Sequence, residues 1–369
     1  MRVDRVEIRI LRLPLVAHFE TSFGRQTDRA FVLVAVHEDS VTGYGECVAM
    51  EAPLYSPETV ETAWGVLRDH LVPRMLDRAV DHPADVHALF RPVRGHHMAK
   101  AALEMAVWDL YAKQQDVPLS RLLGGTRPAI AAGVSIGIQD SLDELVERVG
   151  AELAAGYQRV KIKIKPGWDL DAVARVRAAF GPVPLMVDAN AAYTLEDADR
   201  LVALDEHDLM MIEQPLESDD LRRHALLQQR LRTPLCLDES IESARGAEDA
   251  LALGACRIIN IKPGRLGGHG ESRRVHDLCA GAGVPVWQGG MLESGIGRAH
   301  NLHLSSLPNF TLPGDVAASR RYYDPDVIEP PIDVKPDGTI DVPTAPGIGV
   351  DVVAERVDRA TSAHLAIRR

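Results

Sequence analysis

VKIKIK at 160–165, PLMVD at 184–188, LMMIE at 209–213, PLCLD at 234–238 and RIINIK at 257–262 are five short apolar runs, each with an ionisable residue at or near its end. Those residues are Lys163, Asp188, Glu213, Asp238 and Lys262, spaced by 25, 25, 25 and 24 residues. About 25 residues is one strand, one helix and two short turns, so the pattern is a repeated βα unit. In a row of parallel strands all five side chains gather at one end of the sheet. Three acids between two lysines then predict a metal with a base on each side.

The same grammar extends outward. Strands are predicted at 131–136, 159–164, 184–188, 209–213, 235–238, 257–262, 285–288 and 309–313, with helical patterns such as SLDELVERVGAELAAG between them. Gly156 stands where a helix C-terminus calls for glycine. Eight parallel strands with intervening helices favour a closed (β/α)8-type barrel over a doubly wound sheet. The barrel is predicted over residues 126–319.

Residues 1–125 read differently. Val6, Ile8 and Ile10 alternate with Arg5, Glu7 and Arg9 at strand period, and AFVLVAVHE follows as a second strand. Thr42-Gly43 reads as the next turn. Helices are predicted at 57–77, 84–91 and 97–115, the last with Ala101, Met105, Trp108 and Tyr111/Ala112 on one face. After residue 320 the alternation stops, and Asp337-Gly338 marks a hairpin in IDVKPDGTIDV. That hairpin is expected to return to the N-terminal region. An α+β capping domain would thus be built from residues 1–125 and completed by 320–369.

The chain of 369 residues is 46% hydrophobic and 25% charged, the proportions of an ordinary globular protein. A net charge of −12 argues against non-specific nucleic-acid binding or an anionic membrane surface. No apolar stretch reaches the length of a membrane span, and the N-terminus lacks a secretory apolar core. Cys47, Cys236, Cys256 and Cys279 are widely spaced and read as buried thiols in a reducing compartment. The expectation is a cytoplasmic protein.

Three carboxylates that converge would repel one another without a cation among them. Oxygen donors with no His or Cys nearby suit Mg²⁺ or Mn²⁺ better than zinc. On the second barrel strand, period 2 puts Lys161, Lys163 and Lys165 on one face, with Lys165 at or beyond the strand end. Lys262 lies across the ring from Lys163. A lysine must be neutral to act as a base, and nearby cations with partial burial are expected to lower its pKa. Arg265 could tune Lys262. Glu239 directly follows Asp238 and supports it.

Ser135 ends the first barrel strand, and Asn190 sits two residues after Asp188, sharing its direction. Gly289, Gly290, Met291 and Glu293 belong to a glycine-rich loop, GGMLESGIG, which could let backbone approach a substrate carboxylate. Phe19 and Phe23 (in FETSFG) and Met50 and Tyr55 (in MEAPLY) are candidates to cover the barrel mouth with an apolar pocket.

These residues resemble the enolase superfamily, and within it the muconate-lactonising branch. The resemblance runs nearly end to end: K-x-K on the second barrel strand, D-x-N, E-Q-P, D-E-S and lysine on the sixth. At finer grain FETSFG, GHHMAKAALEMAVWDL, IKPGWD, DANAAYTLEDA, CLDESI, GGMLESGIGRAHN and LPGD are similar to the o-succinylbenzoate synthase/N-acylamino-acid racemase subfamily. The resemblance implies a modified (β/α)7β barrel, Lys163 and Lys262 flanking the substrate α-carbon, and Asp188, Glu213 and Asp238 as ligands of Mg²⁺, with Mn²⁺ or Co²⁺ as substitutes. It implies abstraction of the proton α to a carboxylate and stabilisation of the enediolate, with Lys161 alongside; such lysine-and-Mg²⁺ chemistry is the general pattern of that superfamily. The substrate is a small carboxylate, and a homo-octamer is the expected assembly.

Synthase and racemase activities are not separated by these strings. A dipeptide epimerase or muconate cycloisomerase on the same scaffold is the alternative. An epimerase would need acids near the eighth strand for a substrate ammonium, where only Asp315 is available. A non-catalytic barrel would have no need of all five repeating residues.

Overall fold

The computed structural model describes residues 1–369. Seven parallel strands follow one another in chain order around a sheet: Gly133–Ile136, Arg159–Lys163, Leu185–Asp188, Ile212–Glu213, Leu235–Leu237, Ile258–Ile261 and Val286–Gln288. Helices between them start on side-chain caps. Ser141, Asp220 and Ser243 accept from the backbone N–H of Glu144, Arg223 and Gly246. Gly156 has φ 97°, as its place after a helix requires.

Alternation along the strands sorts side chains into two environments. Ile162, Val187, Ile212, Leu237 and Ile259 join the large core shared with the helices. Met186, Met211, Cys236, Ile258 and Trp287 pack together as a separate layer inside the ring. The functional side chains occupy the next positions along those inward faces.

The eighth strand expected at 309–313 does not form. This segment instead touches both edge strands through isolated bridges, Val286 to Phe310 and Ala132 to Gly314. The N–H of Gly133 donates to Gly314 O at 2.7 Å, and that of Asp315 to Gln288 O at 2.7 Å. Pro313 has no N–H for a ladder, which prevents regular pairing here.

A four-stranded antiparallel sheet lies apart from the barrel, in the order Thr361–Arg368, Arg5–Thr21, Gly24–Glu38, Val41–Cys47. The C-terminal strand pairs with the first from Arg5↔Arg368 to Leu11↔Thr361. The turn expected at Thr42-Gly43 lies three residues earlier: Glu38 pairs with Val41, leaving Asp39 and Ser40 as the turn. Gly43 answers a different demand. A Cβ there would sit 2.1 Å from Ala106 O, and one at Gly45 would sit 2.1 Å from Ala102 O. Both glycines let the helix His97–Gln114 press directly onto the strand.

That helix is buried nearly all round, not on the single face expected. Its far side meets the barrel, where Glu104 accepts from the N–H of His269 and of Gly270, each at 2.8 Å. The predicted helix at 57–77 runs from Val60 to Asp77 with a π-helical turn, Leu67–Leu71, just before Pro73. The extra residue in that turn accommodates the missing N–H of proline. The Asp337-Gly338 turn forms, but its outgoing arm Thr339–Asp341 pairs with Ala129–Ala131 at the barrel entrance, not with the N-terminal sheet. No helix is long and apolar enough to cross a membrane. All four cysteines are buried free thiols.

Candidate active site

The parallel register builds the site. Lys163 lies opposite Asp188, and Asp188 opposite Glu213. Asp238 directly follows its strand, Leu235–Leu237, and Lys262 directly follows Ile258–Ile261. All five are buried, with Lys163 7% and Lys262 5% exposed.

Each acid rests on a cation. Lys163 Nζ donates to Asp188 Oδ2 at 2.6 Å and to Asn190 Oδ1 at 2.6 Å. Lys161 Nζ is 2.9 Å from Glu213 Oε2, 3.2 Å from Asp188 Oδ2 and 2.6 Å from Asp315 Oδ2. Lys262 Nζ donates to Asp238 Oδ2 at 2.7 Å and to the Tyr55 hydroxyl at 3.2 Å. Arg265 donates to the other oxygen of Asp238 and to the carbonyls of Ile241 and Asn260.

Burial, then Asp188, pushes Glu213 up to about 7, against the pull of Lys161. Burial and Asp238 raise Glu239 well above the usual carboxylate range. Burial would raise Asp188 too, but Lys163 and Lys161 outweigh it and hold it low. Asp238 is likewise held low against burial by Lys262 and Arg265. The expected lowering of lysine pKa does not hold for Lys262. Burial lowers it, but Asp238, Tyr55, Glu213 and Glu239 together more than reverse this and raise it above the usual lysine value. The carboxylates that would serve a metal here serve the ammonium groups instead.

No three acid, His or Cys side chains converge at metal-ligating geometry in this arrangement. The donor set nonetheless fits a hard divalent cation. Asp188, Glu213, Asp238 and Glu239 bring only oxygen to one rim, and all are buried. Glu239 Oε2 and Asn260 Oδ1 are buried there without a hydrogen-bond partner. Buried polar atoms of this kind call for one.

Lys163 and Lys262 open into one cavity, which Phe19, Phe23, Met50 and Tyr55 also line. Asn190, Gly290 and Met291 line it as well. Gly289 stands behind: a Cβ there would lie 2.2 Å from Asn260 Oδ1 and 2.6 Å from Lys262 Cε. Glu293 holds the loop, accepting from Met291 N at 2.9 Å and from Asn301 Nδ2 at 3.0 Å. Ser135 is buried and its hydroxyl has no partner. Asp315 pairs with Arg159 at 2.7 Å beneath Lys161. Of the eight non-glycine residues with positive φ, Asn190, Ala191, Gln214 and Leu292 belong to the strand-end loops here. Such strain concentrates at functional sites.

Three residues on the barrel strands escaped the sequence reading. Asn260 Nδ2 donates to Glu213 Oε1 at 2.5 Å. Arg159 neutralises Asp315 and stacks over Trp287. Gln214 Oε1 accepts from the N–H of Asp238 at 3.0 Å. Period 2 could have found the first two: Asn260 lies two residues before Lys262, and Arg159 two before Lys161. Gln214 carried no such signal.

Comparison with known proteins places the family. Residues 5–124 match the mandelate racemase/muconate lactonizing enzyme N-terminal domain, and residues 144–357 match the enolase C-terminal domain-like family. An o-succinylbenzoate synthase from Geobacillus kaustophilus is 55% identical over 362 residues, covering 98% of this chain and 96% of that one. An N-succinylamino acid racemase from Amycolatopsis sp. is 50% identical over 368 residues, covering all of both. A crystal structure of an enolase-superfamily member from Listeria innocua superposes with a TM-score of 0.96 at 39% identity, covering 100% of this chain and 99% of that one.

Proposed function

This chain belongs to the mandelate racemase/muconate lactonizing enzyme family of the enolase superfamily, and we propose that it is an o-succinylbenzoate synthase, an N-succinylamino-acid racemase, or both. One observation carries the reading. Two lysines from strands across the ring open into a single cavity, each resting on a different carboxylate of the same rim.

Both reactions begin with loss of the proton α to a carboxylate. For racemisation, Lys163 Nζ takes the proton from one face of the α-carbon and Lys262 Nζ returns one to the other, or the reverse. For dehydration to o-succinylbenzoate, Lys163 takes the α-proton and gives it to the departing hydroxyl, while the Lys262 ammonium stays beside the enediolate. Lys161, held by Glu213, Asp188 and Asp315, places a fixed positive charge next to the developing oxyanions. Phe19, Phe23, Met50 and Tyr55 exclude water from the reacting carbon. Asp188, Glu213 and Asp238 would hold a Mg²⁺ ion, which would supply further positive charge to stabilise the enediolate.

The same reading assigns the protein a role in menaquinone biosynthesis, as a cytoplasmic homo-oligomer. A side-by-side assay tests the reading: the cyclohexadiene precursor of o-succinylbenzoate against N-succinyl- and N-acetyl-phenylalanine or -methionine. Turnover of at least one class, abolished in Lys163→Ala, is expected. No turnover of any with Mg²⁺ present would overturn it.

A further inference from the structure

Arg29 lines the same cavity as Lys163 and Lys262 and is only 4% exposed. Its guanidinium has no carboxylate partner. Nη1 donates to Ala30 O and to Ala49 O, each at 3.0 Å, and Nη2 donates to Val48 O. A guanidinium has five N–H bonds, so Nε–H and one on Nη2 remain without a protein acceptor. A buried cation satisfied only by carbonyls is unusual, because buried charges are normally paired. The cavity also contains no acid: its charged residues are Arg29, Lys163 and Lys262. Lys163 and Lys262 are each paired with a rim carboxylate, so Arg29 is the one cationic lining residue with no acid beside it.

From this geometry we propose that Arg29 receives a second carboxylate of the substrate, remote from the one at the reacting carbon, and so selects dicarboxylates. In the racemase reaction that group is the free end of an N-succinyl chain; in the synthase reaction it is the end of the succinyl side arm. The inference rests on the functional reading above and assigns its acyl-group specificity to a residue. Arg29 acts by positioning and takes no part in proton transfer.

The charge can be separated from mere bracing of Val48 and Ala49 by comparing substrates. In Arg29→Met with Mg²⁺, KM for N-succinyl-phenylalanine is expected to rise tenfold or more with kcat changed less than threefold, while KM for N-acetyl-phenylalanine moves less than twofold. Equal changes for both substrates, or none for either, would overturn the proposal. The wild-type protein gives an independent measurement that does not depend on the variant folding. It should prefer N-succinyl-phenylalanine over its succinamyl isostere, which has an amide in place of the distal carboxylate, at least tenfold in calorimetric affinity; equal affinity would overturn the assignment. Because calorimetry reads binding without turnover, a preserved preference in a protein that turns over neither substrate would refute the reaction and leave Arg29 in place.

Discussion

Lys163 Nζ lies 2.6 Å from Asp188 Oδ2 across a parallel register that sets the two residues directly opposite each other. The proposed base and a proposed metal ligand are therefore neighbours in the same ladder; across the ring Lys262 Nζ lies 2.7 Å from Asp238 Oδ2, reaching back from two residues beyond the level position. Each lysine is held in place by an anion that a cation would share.

Lys163→Ala and Lys262→Ala should each lower racemisation by about 10²- to 10⁴-fold, the usual share of a general acid or base. Fold, read by circular dichroism, should persist. In deuterated water each variant is expected to exchange the α-proton of one enantiomer only, and of opposite enantiomers in the two variants. Unchanged exchange of both enantiomers in both proteins would end the two-base scheme.

Chelation by EDTA should remove activity and added Mg²⁺ should restore it. Mg²⁺ should also raise Tm, since a ligand at one hundred times its Kd stabilises by about 2.7 kcal/mol. Asp238→Asn should weaken that Tm response. Full turnover in excess chelator would refute the cation assignment.

Gly289→Ala should damage activity more than stability. The added methyl would lie 2.6 Å from Lys262 Cε, so Lys262 must move. Overpacking of this kind costs about 1–3 kcal/mol. The expected result is a folded protein with at least about a hundredfold lower kcat, a loss a 1 Å misplacement can produce. Wild-type kcat would show that Lys262 does not need its present position.

Acid should destabilise the fold through histidine. Burial pushes His303 down to about 4, and His300 and His269 are lowered by burial as well. His269 Nε2 and His300 Nδ1 are 3.0 Å apart, and His303 Nδ1 accepts from Ser120 N at 3.0 Å. The unfolded histidines bind protons below about pH 6.5 while the folded ones do not. Their contribution is therefore complete above that pH and fades as pH falls toward 4. Denaturant titrations from pH 7 to 4.5 should show a shallower decline for His303→Gln, by up to about 1.4 kcal/mol per pH unit. Identical slopes would exclude His303 from the effect.

Much of the site was legible because strand alternation and repeat spacing carry it. The rule that placed Lys161 and Lys163 inward also holds for Arg159, which stands before the alternating run that carries the lysines, and for Asn260, which bears no charge to mark it. Arg29 was illegible for another reason: its partners are carbonyls of Val48 and Ala49, contacts that no pattern of side chains encodes. Gly43 was misread as a turn because a glycine's need for close approach looks the same in sequence as its need for positive φ. Long-range pairing was the weakest part. The destination of the Thr339–Asp341 arm depends on which edge remains free once the barrel has formed.

The contact of Gly43 and Gly45 with the helix His97–Gln114 has a consequence for how molecules enter and leave. A backbone carbonyl stands where each side chain would be, and on its other flank the helix reaches the barrel through Glu104, so one helix ties the two sheets together. Traffic through the chamber must pass by way of the short segments bearing Phe19, Phe23, Met50 and Tyr55. The capping sheet thus does two jobs at once, bracing the barrel through that helix and closing the chamber with side chains from its own strand ends.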